Sequence, residues 1–73
     1  MLRPMAVAIG ALIRRRRVEL GISRERLAYE SGLSLSTMLR IELHNHVPRA
    51  DRLAAIARVL GVTADDLLGE TAA

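Results

Sequence analysis

The stretch that most constrains this chain is residues 24–43, RERLAYESGLSLSTMLRIEL. Its spacing predicts two short helices joined by a tight turn. Ser23 is placed to cap the first, Arg24 to Ser31, and Ser34 to cap the second, Leu35 to Leu43. In both cases a short side-chain oxygen can accept from the N–H groups that a helix start leaves open. Gly32 falls between them and tolerates φ > 0, so the chain can reverse there without a side-chain clash. Ala28 lies one turn earlier, where two closely joined helices leave room only for a small side chain. Leu27, Leu33, Met38 and Ile41 are the expected apolar pegs between the two helices.

A small residue, a glycine four positions on, a leucine next to it, then apolar residues at Met38 and Ile41: this is the helix-turn-helix spacing. The longer string ISRERLAYESGLSLSTMLRIE resembles the phage-repressor-like (Cro/C1-type, or XRE-type) helix-turn-helix family. The resemblance extends from about Ile9 to Leu68 and is most specific at LA (27–28), GLS (32–34), IE (41–42) and LGV (60–62). It implies an all-α, five-helix domain that binds double-stranded DNA as a transcriptional regulator, usually as a homodimer. It implies no cofactor and a bacterial or phage-encoded, cytoplasmic protein.

The rest of the chain fits one such domain. Seventy-three residues suffice for a single small unit. The expected core covers about residues 5–68, followed by a mobile tail, 69–73. Hydrophobic residues make up 51%, but Tyr29 is the one aromatic, so the core must be aliphatic. The absence of cysteine excludes disulfides, thiolate chemistry and cysteine-ligated zinc. No apolar run approaches the roughly 20 residues that span a bilayer. In the N-terminal MLRPMAVAIGALIRRRR most charges follow the apolar run, and no small-residue cleavage site comes after it, which speaks against a secretory signal.

All 11 basic residues are arginine, and the formal net charge is +3. Residues 1–26 hold seven arginines against Glu19 and Glu25. Residues 50–73 hold Arg52 and Arg58 against Asp51, Asp65, Asp66 and Glu70. A basic front and an acidic back suit a domain that lays one side on a polyanion.

Helix 1 is expected from about Met5 to Leu20, with Pro4 suited to a first helical turn and Gly21 to the stop. Ile9, Ile13, Arg17 and Leu20 recur at steps of four and three and should share an inner face. The run Arg14–Arg17 invites a nuclear-signal or membrane-surface reading. At about 100° per residue, however, the four cover most of the helix circumference. Arg14, Arg15 and Arg16 are expected on a solvated, DNA-facing surface, whereas Arg17 turns inward. An inward arginine needs a partner, because an unpaired buried charge is very costly. Glu42 is the expected partner, and the family resemblance implies the same structural ion pair.

Helix 4 is expected from Ala50 to Leu60, with Leu53, Ile56, Ala57 and Leu60 inward and Gly61 as the stop. Thr63 can cap a short helix 5, Ala64 to Leu68, with Asp66 at the capping-box position. Val62, Leu67, Leu68 and the tail are the local hint of an apolar dimer contact.

On the second helix of the motif Met38 and Ile41 define the inner face. Ser36, Arg40 and Leu43 then point away from it, with Leu39 beside them and Leu35 and Thr37 on the flanks. The expected base-reading set is Arg24, Leu35, Ser36, Thr37, Leu39 and Arg40. Arg40 suits guanine O6 and N7, and Ser36 can donate or accept. Arg24 stands where the family most often has glutamine, and its guanidinium can serve a guanine or a phosphate. For Leu35, Leu39 and Leu43 three readings stand open: contact with thymine methyls, partial cover of the core, and a patch for a protein partner. The expected DNA-backbone set is Ser23, His44, Asn45, His46 and Arg49. The family usually has glycine where His44 stands, so Asn45 is the candidate for the left-handed turn. The letters His-Asn-His do not make a nuclease here: in those enzymes the residues are spread over a ββα unit. His44 and His46 with Glu42 lack a fourth metal ligand. No nucleophile–base pair and no phosphate-binding glycine loop are legible, so no enzyme is expected. The competing reading is a protein-interaction module on the same fold, facing a toxin or another regulator.

Overall fold

The computed structural model describes residues 8–71. Five helices follow in order: α1 (Ile9–Glu19), α2 (Arg24–Ser31), α3 (Leu35–Leu43), α4 (Ala50–Leu60) and α5 (Ala64–Thr71). The described residues contain no strand. α1 packs against α3, α4 and α5. α2 packs against α3 and α4, and α4 against α5.

Local chemistry accounts for most boundaries. Ser23 Oγ accepts from Arg26 N–H at 3.0 Å, and Ser34 Oγ accepts from Thr37 N–H at 3.1 Å. These are the two N-caps of the motif. Gly32 closes α2 at φ 73°, ψ 25°. Its N–H donates to Tyr29 C=O and the Leu33 N–H to Ala28 C=O, which uses carbonyls the helix end would leave open. The same paired pattern ends α1 at Gly21 and α4 at Gly61. The residue after each of these glycines is apolar, and Ile22, Leu33 and Val62 all pack against the core.

The core is aliphatic. Ile13, Leu27, Met38, Ile41, Ile56 and Leu60 are its largest fully buried side chains. Gly10 extends it in an unusual way. A Cβ built there would overlap the carbonyl oxygen of Ile41, so α1 and α3 meet backbone to backbone at this point.

Several expectations need correction. The start of α1 near Met5 lies outside the described residues, but Ala8 is already extended (φ −62°, ψ 139°), so the helix begins at Ile9. Leu20 is 43% exposed, because the helix proper ends at Glu19 and Leu20 forms its cap. Leu12 takes the inward place instead, at 2%. The inner stripe is therefore rotated toward Arg16, which is half-buried. Its Nε donates to Leu60 C=O at 3.1 Å, satisfying a carbonyl at the end of α4. Arg16 thus caps a helix and is not part of an open basic surface. α5 continues through Gly69 to Thr71, so the tail expected from 69 onward is helical as far as the description reaches. Leu67 is buried and Val62 half-buried, leaving Leu68, 44% exposed, of the three residues suggested for a dimer contact.

Candidate nucleic-acid interface

Two buried points hold α3 in place. At one, Gly10 receives the backbone of Ile41. At the other, Arg17 Nε donates to Glu42 Oε2 at 2.9 Å and Nη2 donates to Oε1 at 3.1 Å. Arg17 Nη1 donates further to Ile22 C=O at 2.9 Å. The Glu42 side chain has no exposed surface and that of Arg17 only 10%. This two-pronged geometry is the arrangement in which a desolvated pair keeps both partners satisfied.

Glu42 carries a second arginine. Arg24 Nε donates to Oε1 at 3.0 Å. The sequence placed Arg24 among the base readers. The structure commits its Nε to a buried carboxylate and leaves 24% of the side chain exposed at the start of α2. One carboxylate between two guanidiniums leaves a net positive charge beside α3.

On the outer side of α3, Ser36, Arg40 and Leu43 are exposed, Leu35 is 40% exposed, and Thr37 and Leu39 are half-buried. Thr37 Oγ1 accepts from Ser34 Oγ at 3.0 Å, so its hydroxyl belongs partly to the cap. Ser23 is likewise occupied by its cap bond. The only acid on α3 is Glu42, and it is buried. The outward face of this helix therefore carries no negative charge.

The loop after α3 turns through Asn45 at φ 55°, the one left-handed non-glycine residue described. The N–H groups of His44 and His46 both donate to Arg40 C=O, which folds the loop against the helix end. His44 and Asn45 are exposed, His46 is half-buried, and Pro48 is buried. Arg49 is the N-terminal flank of α4 and lies 3.9 Å from Asp51, a contact too long and too exposed to hold it. His46, Arg49, Thr37 and Arg52 line one concavity with Val47 and Pro48. Arg52 was missing from the sequence reading. From the first turn of α4 it lines the same concavity as Thr37 of α3, a relation with no local signature.

Among the described residues there is no cluster of metal-binding side chains, and no helix is long and apolar enough to cross a membrane.

The comparisons agree with this architecture. None of the curated proteins matches the chain. Two crystal structures of the clp gene regulator ClgR from Corynebacterium glutamicum superpose on it at 27% sequence identity. One has a TM-score of 0.81 and covers 96% of this chain and 74% of that one. The other has a TM-score of 0.79 and covers 97% and 92%. The helix-turn-helix domain model matches residues 8–69, nearly the whole described chain, and the protein belongs to that family.

Proposed function

We propose that the chain is a sequence-specific duplex-DNA-binding domain of a transcriptional regulator, with α3 in the major groove. One observation carries this reading. α3 exposes Ser36 and Arg40 while its single acid is buried and paired, and basic side chains flank both of its ends. A helix so placed meets a polyanion without repulsion and offers hydrogen-bonding groups to base edges. The structural likeness to a protein described as a gene regulator supports the same function.

Ser36 and Arg40 are the polar base readers in this proposal, with Leu35 and Leu39 beside them and Thr37 at the flank. His44, Asn45, His46, Arg49 and Arg52 form the backbone contact at one end of α3. Arg24, held by Glu42 near the C-terminal end of α3, supplies the rest of its guanidinium beside Ser23. Two copies would act on a two-fold-related site with half-sites about 34–36 Å apart, the spacing usual for dimeric readers of this motif.

Selection of bound sequences from random duplexes tests the reading. A recurring motif with affinity that falls steeply with salt is expected. No enrichment, or binding indifferent to salt, would count against it.

A further inference from the structure

Leu35, Leu39 and Leu43 recur at four-residue steps along α3. Such positions drift by about 40° per step, so the leucines form a slanting stripe beside Ser36 and Arg40. Leu35 is 40% and Leu43 51% exposed, with Leu39 half-buried. None of the three belongs to the core cluster or to the residues packed against it. Cover of the core therefore does not explain the stripe.

The charges around the stripe indicate its occupant. Arg40 stands next to it on the same helix, Arg24 lies at Glu42 near the C-terminal end, and His46, Arg49 and Arg52 share a concavity with Thr37. An apolar protein surface laid here would strip these cations of water and offer no counter-charge. The major groove has phosphates along its rims and one sizeable apolar group on its floor, the C5 methyl of thymine. We infer that Leu35 and Leu39 read thymine methyl groups, so that each preferred half-site carries thymine at two nearby positions. The inference rests on the duplex-binding reading above. Leu43 stands two turns from the leading end of the helix and is not required.

Deoxyuridine separates this contact from every other, because it lacks only the methyl and keeps the pairing and the phosphates. The duplex recovered by random-sequence selection is resynthesised with each thymine replaced in turn. Affinity is then measured for the full chain and for its Leu35→Ala and Leu39→Ala variants. The wild-type chain is expected to lose about fourfold at one thymine per leucine in each half-site, the effect of one buried methyl. That loss should vanish in the matching alanine variant and persist in the other. Leu35 is the more exposed of the two, so Leu35→Ala carries the test if Leu39→Ala folds poorly. Selection repeated with Leu35→Ala should no longer enrich thymine at one position. Salt-dependent duplex binding with a flat uracil series, or with losses unchanged in the alanine variants, overturns the inference, leaves duplex binding standing and returns the stripe to a protein partner. Absence of any salt-dependent duplex binding overturns both.

Discussion

Gly10 in α1 lies against the carbonyl oxygen of Ile41 in α3, with no room between them for a methyl group. The obstacle is backbone, so no side chain can rotate away to make space. At an open helical position Gly→Ala stabilises by up to about 1 kcal/mol. Here the sign should reverse. Gly10→Ala is expected to destabilise by on the order of 3 kcal/mol, the upper range for overpacking, because α1 must lift from α3. Chemical denaturation gives the answer through its midpoint. A midpoint at or above that of wild type would mean that the two helices do not meet this way.

The second fixed point of α3 is electrostatic. Arg17→Met should cost on the order of 3 kcal/mol, since it removes two of the three bonds that satisfy a buried carboxylate. Arg24→Gln should cost clearly less, because Arg17 still holds both oxygens of Glu42. Thermal unfolding of the two variants side by side tests the order. Equal losses would show that the carboxylate does not distinguish its two arginines.

Two glycines should respond in opposite directions. Gly32 holds φ 73° at the turn of the motif, where alanine is strained, and Gly32→Ala should lower stability by about 1 kcal/mol. Gly69 lies inside α5 with open space where a Cβ would sit, so Gly69→Ala should raise stability by up to about 1 kcal/mol. The comparison of unfolding midpoints is direct. A destabilising Gly69→Ala would mean that α5 does not continue through this residue.

The start of α5 should be sensitive to acid. Thr63 N–H donates to Asp66 Oδ2 at 3.0 Å and Asp66 N–H donates to Thr63 Oγ1 at 3.0 Å. The backbone bond first, and the hydroxyl second, hold the Asp66 carboxyl below its ordinary value of 3.8. A lowered value means that the stabilisation is present above pH 3.8 and fades as the pH falls below it. Asp66→Asn should therefore be less stable than wild type at neutral pH, with the difference shrinking below pH 4. A difference that persists unchanged at pH 3 would show that the charge is not what matters.

How far the sequence could be read depended on how local each rule is. The bounds of α2, α3 and α4 were legible because caps and stops act within a few residues. Ser23, Ser34, Gly32 and Gly61 each act within a turn of their own position. The continuation of α5 past Leu68 had a signal that sequence could have supplied. Each glycine that ends a helix here is followed by an apolar residue that seats on the core, whereas Gly69 is followed by Glu70. Contacts such as Arg16 with Leu60, Arg24 with Glu42 and Gly10 with Ile41 join residues 18 to 44 positions apart, and no periodicity encodes them. At the candidate interface the outward set on α3 followed from helix geometry alone. The part played by Arg24 and the place of Arg52 required the packing of whole helices.

The central claim is that the outward face of α3 reads duplex DNA, and Arg40→Ala tests it most directly. Arg40 is exposed and outside the core, so the variant should keep the wild-type fold. Binding is measured on the selected duplex and its single-base-pair variants at several salt concentrations, with Arg49→Ala alongside. Arg40→Ala is expected to lose roughly 1–3 kcal/mol on the preferred duplex and to relax preference at one base pair. Arg49→Ala is expected to weaken all duplexes alike and to reduce the salt slope by about one unit. If Arg40→Ala binds the whole set as wild type does, α3 is not in the groove.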